Sequence, residues 1–289
     1  MGSLAAPGPP GLASERMDSL DLPPQSLLVV AANPDRVPFS ITLGQEERRH
    51  VRALRLRSGA RIRVTNGRGA MWEGRLEGAD GAAACRLETP LVVEPLLPVE
   101  LAFGVAAKTR TLWLVEKAVE LGVGVLQPIE FARSASVADG ARSPAFWSKA
   151  RRRAEAALEQ SGGAWLPELR DPIALDTFLT AGRDRASGAA VGPSDRLLLL
   201  PSAERELTGW LTSWTGQSPL TLLVGPEGGL ETGEQHAIIG SGFRPARLGG
   251  RMLRFETAAV AAVVVAAQRA AMEKQVSEPE TGSRSDKEE

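Results

Sequence analysis

Residues 222–235 read LLVGPEGGLETGEQ: an apolar run, then Gly225, Pro226, Glu227, Gly228 and Gly229, then a stretch that looks like the start of a helix. A glycine-rich turn between a strand and a helix usually holds a phosphate, because glycine lets backbone N–H groups converge on an anion. The spacing here is different. It is neither the G-x-G-x-x-G of a dinucleotide turn nor the G-x-x-x-x-G-K-[ST] of a triphosphate loop, and Glu227 stands where a phosphate would sit. A neutral or cationic guest suits such a turn better. Thr232 followed by Gln235 has the pattern of a capping box for the helix.

Outward from this turn, the chain after Val99 alternates strand-like and helix-like pieces: VELAFGV, TLWLVEKAVELG, VGVLQPIE, PAFWSKARRRAEAALEQSG, RLLLLP, the turn itself, PARLG and an Ala/Val helix. This rhythm predicts an α/β domain with a largely parallel sheet, whose ligands sit outside the carboxyl ends of the strands, where the turn falls. From Leu27 to Pro95 the pieces are short and strand-like, interrupted by one helical piece, LGQEERRHVRALRLRSG, that Gly59 closes. The expected organisation is a flexible Pro/Gly-rich extension over residues 1–26, a small β domain over 27–95, a linker in PLLPVE, the α/β domain over 99–271 and a polar, disordered tail over 272–289.

Composition narrows the function. The 289 residues carry one cysteine, Cys85, and two histidines, His50 and His236, so a disulfide framework and a Cys- or His-built metal site are not expected. A cytoplasmic setting suits the lone cysteine. The N-terminus has no basic region leading into an unbroken apolar core, which argues against a secretory signal. The run AAVAAVVVAA, Ala258 to Ala267, is shorter than the roughly twenty apolar residues that span a bilayer and reads as a buried helix.

The formal net charge is only −1, but Arg48, Arg49, Arg52, Arg55, Arg57, Arg61, Arg63, Arg68 and Arg75 fall in one stretch with Glu73 as its single acid. A solvated face normally mixes signs, so this strip points to an anionic partner, and arginine offers forked donors for phosphate and a plane for stacking on bases. A small basic β domain joined to an α/β domain with a non-phosphate glycine turn suggests an enzyme that handles RNA.

A second glycine pair follows the first, in LGGRMLRFETAA, residues 248–259, with Arg251, Arg254 and Glu256 crowded ahead of the apolar helix and Thr257 placed to cap it. Together with VGPEGGLETGEQ, KTRTLWLVEKAVELGV, FARS and EQSG, this resembles the bacterial small-subunit ribosomal RNA uridine N3-methyltransferases of the knotted SPOUT superfamily, from about Leu27 to Gln268. The stretch HVRALRLRSGARIRVTNGRG resembles that family's PUA-like RNA-binding domain. The resemblance implies an α/β domain tied in a deep trefoil knot, a rare exception to unknotted chains. It implies S-adenosylmethionine as cofactor, no metal, and a homodimer acting on small-subunit ribosomal RNA or the small ribosomal subunit, with no membrane. It places the cofactor on Leu200, Gly225, Glu227, Gly228, Leu248, Gly249, Met252 and Leu253. Arg133, Arg254 and Glu256 are the implied catalytic residues: an arginine to stabilise the deprotonating base, and Glu256 to orient it or accept its proton. RNA contacts are expected from Arg49, His50, Arg52, Arg55 and Arg68.

The chain departs from the family's pattern in four places. GAWLPEL follows EQSG where relatives commonly carry an arginine, Phe131-Ala132 replaces Ser-Glu before Arg133, Arg49-His50 replaces paired histidines, and Phe255 separates Arg254 from Glu256. The first of these removes an expected RNA contact. Two other readings are a knotted methyltransferase with a different RNA target and a non-catalytic RNA-binding ribosome assembly factor.

Overall fold

The computed structural model describes residues 26–28, 36–78, 84–134, 143–186 and 196–277. The expected N-terminal extension therefore lies outside the described residues, apart from Ser26. The N-terminal unit is a five-stranded sheet in the order β1-β3-β4-β5-β2, built from β1 (Ser26–Leu28), β2 (Phe39–Thr42), β3 (Arg61–Thr65), β4 (Met71–Glu77) and β5 (Ala84–Leu91). Along β3 and β4 every second residue is apolar and buried, Ile62 and Val64 facing in with Trp72 and Leu76, so their intervening arginines turn outward. Helix α1 (Gln45–Ala53) closes the unit through Val51. It is shorter than the helical piece read from sequence: Leu54 caps it and Arg55 takes a left-handed φ of 56°, which turns the chain before Gly59. Cys85 is buried here, and burial with Glu77 and Glu88 nearby pushes its thiol up to about 12.

The second unit begins at β6 (Leu97–Gly104), inside the expected linker, and continues through α2 (Lys108–Glu120), β7 (Val123–Glu130), α3 (Pro144–Ser161), β8 (Glu168–Leu169), β9 (Ile173–Ala174), α4 (Leu175–Ala186), β10 (Arg196–Leu199), α5 (Leu207–Trp210), β11 (Leu220–Val224), α6 (Thr232–Gly240), β12 (Arg244–Ala246) and α7 (Phe255–Ser277). Its sheet runs β12-β10-β11-β6-β7-β8, with β9 also on β7, and every pairing is parallel. Both faces are covered, as a parallel sheet requires. Leu101, Phe103, Leu222 and Val224 face α2, α3 and α7; their alternates Ala102, Leu198 and Leu223 face Phe178 of α4 and Ile238 of α6.

Strand β12 lies outside β10, yet α7 returns to pack on β6, β11 and α2. Residues after β10 lie across it: Arg269 of α7 donates to the carbonyl oxygens of Leu211, Thr212 and Trp214. Arg269 thus ties α7 to the short segment that follows α5.

Three local expectations change. Helix α6 is capped by Glu231 and Glu234 rather than Thr232 and Gln235, with the Glu234 carboxylate accepting from the Glu231 N–H at 2.8 Å. The longer acidic side chains reach back to the amides and suit the positive end of the helix dipole. Helix α7 starts at Phe255, so Thr257 lies inside it and Arg254 precedes it, its carbonyl accepting from Ala258. The same helix runs past Met272 to Ser277, because EKQ continues it well and Arg269 pairs with Glu273 one turn on. At this length α7 is apolar enough to cross a membrane by length and composition alone, but Ala259, Ala262, Val263 and Ala266 of one face are fully buried in the core.

The two units dock through the departing segment. The Gly69 N–H donates to Ala164 O at 2.9 Å, the Leu166 N–H to Gly67 O at 2.9 Å, and the Thr65 hydroxyl to Ala164 O at 3.1 Å. A Cβ on Gly69 would collide with the Trp165 indole, and φ at Gly69 is 91°, so only glycine fits. Trp165→Ala is expected to destabilise the protein by about 2 kcal/mol, below the ~3–5 kcal/mol of a fully buried tryptophan, because part of the ring meets solvent. Hydrogen exchange checks it: the Gly69 and Leu166 amides should lose protection while β6 and β11 keep theirs.

Candidate functional site

Four loops leave the carboxyl ends of neighbouring strands and meet. The first follows β6 and the second is the turn after β11; a Cβ on Gly104 would lie 2.5 Å from Pro226 N, so the two backbones touch only because Gly104 has no side chain. The third follows β10 and the fourth β12. They are joined by the Leu200 N–H donating to Ala246 O at 2.9 Å, and by Glu206, whose carboxylate accepts from Arg247 Nε at 2.7 Å and from the Gly249 N–H at 3.1 Å. The left-handed φ of 64° at Gly249 gives the fourth loop its path.

The glycine turn is fastened on both sides. Glu227 points to the start of α2, where its Oε1 accepts from the Ala107 N–H at 3.3 Å and lies 3.4 Å from Arg110 Nη1. On the other side stands Arg133, just beyond β7, with Nη1 3.5 Å from Gly228 O and Nε 3.7 Å from Glu231 Oε1. The preceding Ala132 N–H donates to Glu234 at 2.8 Å, so the first turn of α6 holds this segment in place.

Glu256 sits in the first turn of α7 with Oε2 buried and without a hydrogen-bond partner among the described residues; Arg110 Nη1 is 3.9 Å away. The structure therefore sets Arg133 beside Gly228 on one side of the turn and joins Glu227 to Glu256 through Arg110 on the other. Arg254 stands apart from Glu256: it is exposed ahead of the helix, as is Met252 at 81%. Leu248 and Leu253 are half-buried, and a Cβ at Gly229, Gly249 or Gly250 would meet open space. Arg110 and Glu206 are absent from the residues expected from sequence. KTRT gives no sign that its arginine faces two carboxylates from distant segments, and only the sheet order brings them together. A cavity of about 560 Å³ lies at the opposite end of the sheet, beside Leu97, Gly122 and Lys274, away from these groups.

The expected RNA contacts divide. Arg49 and Arg52 are exposed on α1 and Arg55 on the turn after it. His50 instead faces the second unit, with Nδ1 2.8 Å from Glu159 of α3. Beside it, burial together with Glu46 and Glu159 pushes the Glu155 carboxyl up. Arg68 is exposed but belongs to the turn that pairs with Trp165. Across the sheet, Arg61 stands opposite Arg75 and Arg75 opposite Arg86, a row of like charges in which Arg61 is met by Glu73 and Arg75 by Glu88. Arg86 lies outside the arginine strip read from sequence and joins it only through strand pairing.

Residues 93–267 match the family described as an RNA methyltransferase domain and residues 43–86 the family described as an RNA methyltransferase PUA domain. The chain is 28% identical over 239 residues to the ribosomal RNA small subunit methyltransferase E of Synechocystis, covering 81% of this chain and 75% of that protein. It is also 28% identical over 240 residues to the enzyme of that name from Mycobacterium bovis, covering 82% and 89%. A methyltransferase structure from Legionella pneumophila, in complex with bound S-adenosylmethionine, superposes with a TM-score of 0.70 at 26% identity, covering 84% of this chain and 95% of that one. The ribosomal RNA small subunit methyltransferase E of Neisseria gonorrhoeae, at 22% identity, shares the fold with a TM-score of 0.71 over 87% and 98%. The parallel α/β domain behind a PUA-like β domain, expected from sequence, is the architecture observed.

The contact between the glycine turn and Arg133 is testable. A Cβ on Gly228 would lie 2.9 Å from Arg133 Cβ and 3.0 Å from its carbonyl oxygen, and valine adds two more carbons there. Because Gly228 is exposed, Gly228→Val should fold normally and displace the Arg133 segment. Calorimetric titration with S-adenosylmethionine is expected to show affinity reduced tenfold or more, about 1.4 kcal/mol; parental affinity would mean that the turn is not part of the pocket.

Proposed function

The chain belongs to the RNA methyltransferase family, and from that premise we propose that it transfers a methyl group from S-adenosylmethionine to ring N3 of a uridine in small-subunit ribosomal RNA. The observation that carries this reading is a buried carboxylate oxygen of Glu256, without a hydrogen bond among the described residues, linked through Arg110 to Glu227 of the glycine turn. The residues fit the cofactor. Open glycine faces admit a ligand against the backbone, and Glu227 and Glu256 suit a cationic sulfur while opposing a phosphate. When bound, S-adenosylmethionine supplies a methyl group on that cationic sulfur. The cofactor residues are those inferred from the resemblance, from Leu200 to Leu253.

Uracil N3 carries a proton at neutral pH, so its N–H bond must break as the bond to the methyl carbon forms. Glu256 is the proposed acceptor of that proton, its Oε2 having no competing donor among the described residues. Arg133, beside the turn, or Arg254, exposed ahead of α7, stabilises the negative charge that develops on the base. Arg49, Arg52, Arg55 and Arg68 hold the RNA, and the enzyme works in the cytoplasm with the small subunit. His50, turned toward Glu159, serves the junction between the two units.

A homodimer is supported by what α7 leaves uncovered. Thr257, Val264 and Gln268 are exposed along the helix, with Ala261 half-buried between them, and Trp113 of α2 is 41% exposed. Light scattering at micromolar concentration is expected to give twice the chain mass, and a monomer would overturn this part of the reading.

The reaction is tested by nucleoside mass spectrometry. Small-subunit ribosomal RNA from cells lacking the protein should contain no N3-methyluridine at its site, and the parental gene should restore it. A missing methyl group on another base would reassign the target, and no missing methyl group would favour a binding factor. Arg52→Ala with Arg55→Ala should weaken RNA binding and lower the salt slope by about one unit for each phosphate no longer neutralised, with methyl transfer at saturating RNA little changed.

A further inference from the structure

We propose that Arg110 is a positioning residue for methyl transfer, joining Glu227 of the glycine turn to Glu256 at the start of α7 through one guanidinium nitrogen; this rests on the function proposed above. Arg110 Nη1 lies 3.4 Å from Glu227 Oε1 and 3.9 Å from Glu256 Oε2. Three segments far apart in sequence meet at that nitrogen: α2, the turn after β11 and the first turn of α7.

Two carboxylates gathered at one point repel each other, and a cation between them offsets the repulsion. Without it, Glu256 Oε2 would be buried with neither a hydrogen bond nor a counter-charge. The position of Arg110 is rigid. Its neighbours Thr111, Leu114 and Val115 are fully buried, Thr111 Oγ1 donates to Ala106 O at 3.2 Å, and α2 packs between α3 and α7. Glu227 also accepts from Ala107, so the helix and the turn are already joined before the cation is counted. At these separations Arg110 makes a close hydrogen bond to neither carboxylate, so its fork can follow Glu256 when a ligand enters. A planar guanidinium can serve two acceptors at once where an ammonium acts as a point charge, so lysine should replace Arg110 only in part.

The same geometry sets the test. Arg110→Ala, Arg110→Lys, Glu256→Gln and the double variant Arg110→Ala/Glu256→Gln are compared with the parental protein by single-turnover methyl transfer at saturating RNA and S-adenosylmethionine, and by RNA affinity. Arg110→Ala is expected to slow transfer by about tenfold or more with RNA affinity unchanged, and Arg110→Lys to recover part of that loss. If Arg110 acts through Glu256, adding Arg110→Ala to Glu256→Gln slows the reaction by less than about threefold, because the two changes remove one interaction. A parental rate in Arg110→Ala, or losses that multiply in the double variant, overturns the inference. Should Arg110→Ala fail to fold, Arg110→Lys and Arg110→Gln, each with and without Glu256→Gln, decide by the same criteria. An active parental protein with an indifferent Arg110 refutes this inference alone, whereas a parental protein that methylates no ribosomal RNA refutes the function and this inference together.

Discussion

The site depends on the absence of a side chain at Gly104. Its α-carbon ends β6 at the point where Pro226 opens the glycine turn, and any Cβ there would overlap the Pro226 backbone. That contact brings the loop before α2 against the loop after β11. Once these are in register, Glu227 accepts from the Ala107 amide that caps α2, Arg110 faces Glu227, and the Phe255 ring packs 6.2 Å from that of Phe103, centre to centre, to seat α7. Glu227 and Arg110 are therefore brought face to face by a backbone contact that carries no chemistry of its own.

The α/β alternation, the parallel sheet, the basic β domain and the two glycine loops were legible because each rests on local periodicity or on a local motif. Helix ends were less so. The cap of α6 moved to Glu231 because Thr232 and Glu231 both offer acceptors and only the finished chain path decides which one reaches the amides. The start of α7 moved ahead of Thr257, to Phe255. Arg110, Glu206 and Arg86 were invisible because their partners are set by sheet order and strand register, which no local pattern carries. Arg254 and Glu256 show the reverse: close in sequence, they read as a pair, but one precedes the helix and the other enters its buried side.

The segment GAWLPEL shows how a departure from a family pattern can acquire a different use. Read from sequence, it removed an arginine from the RNA path. In the fold its backbone and Trp165 seat the β domain on the α/β domain through Gly67 and Gly69, while His50 meets Glu159 beside it. The β domain is thereby fastened to the α/β domain by backbone bonds and one tryptophan.

The grip of Arg269 on residues 211–214 has a consequence for how α7 can move. Three carbonyl oxygens of one short segment hold a single side chain of α7, so the helix and the segment between β10 and β11 shift as one piece. Glu256 rides on the same helix, so a displacement of residues 211–214 reaches the buried end of the candidate site.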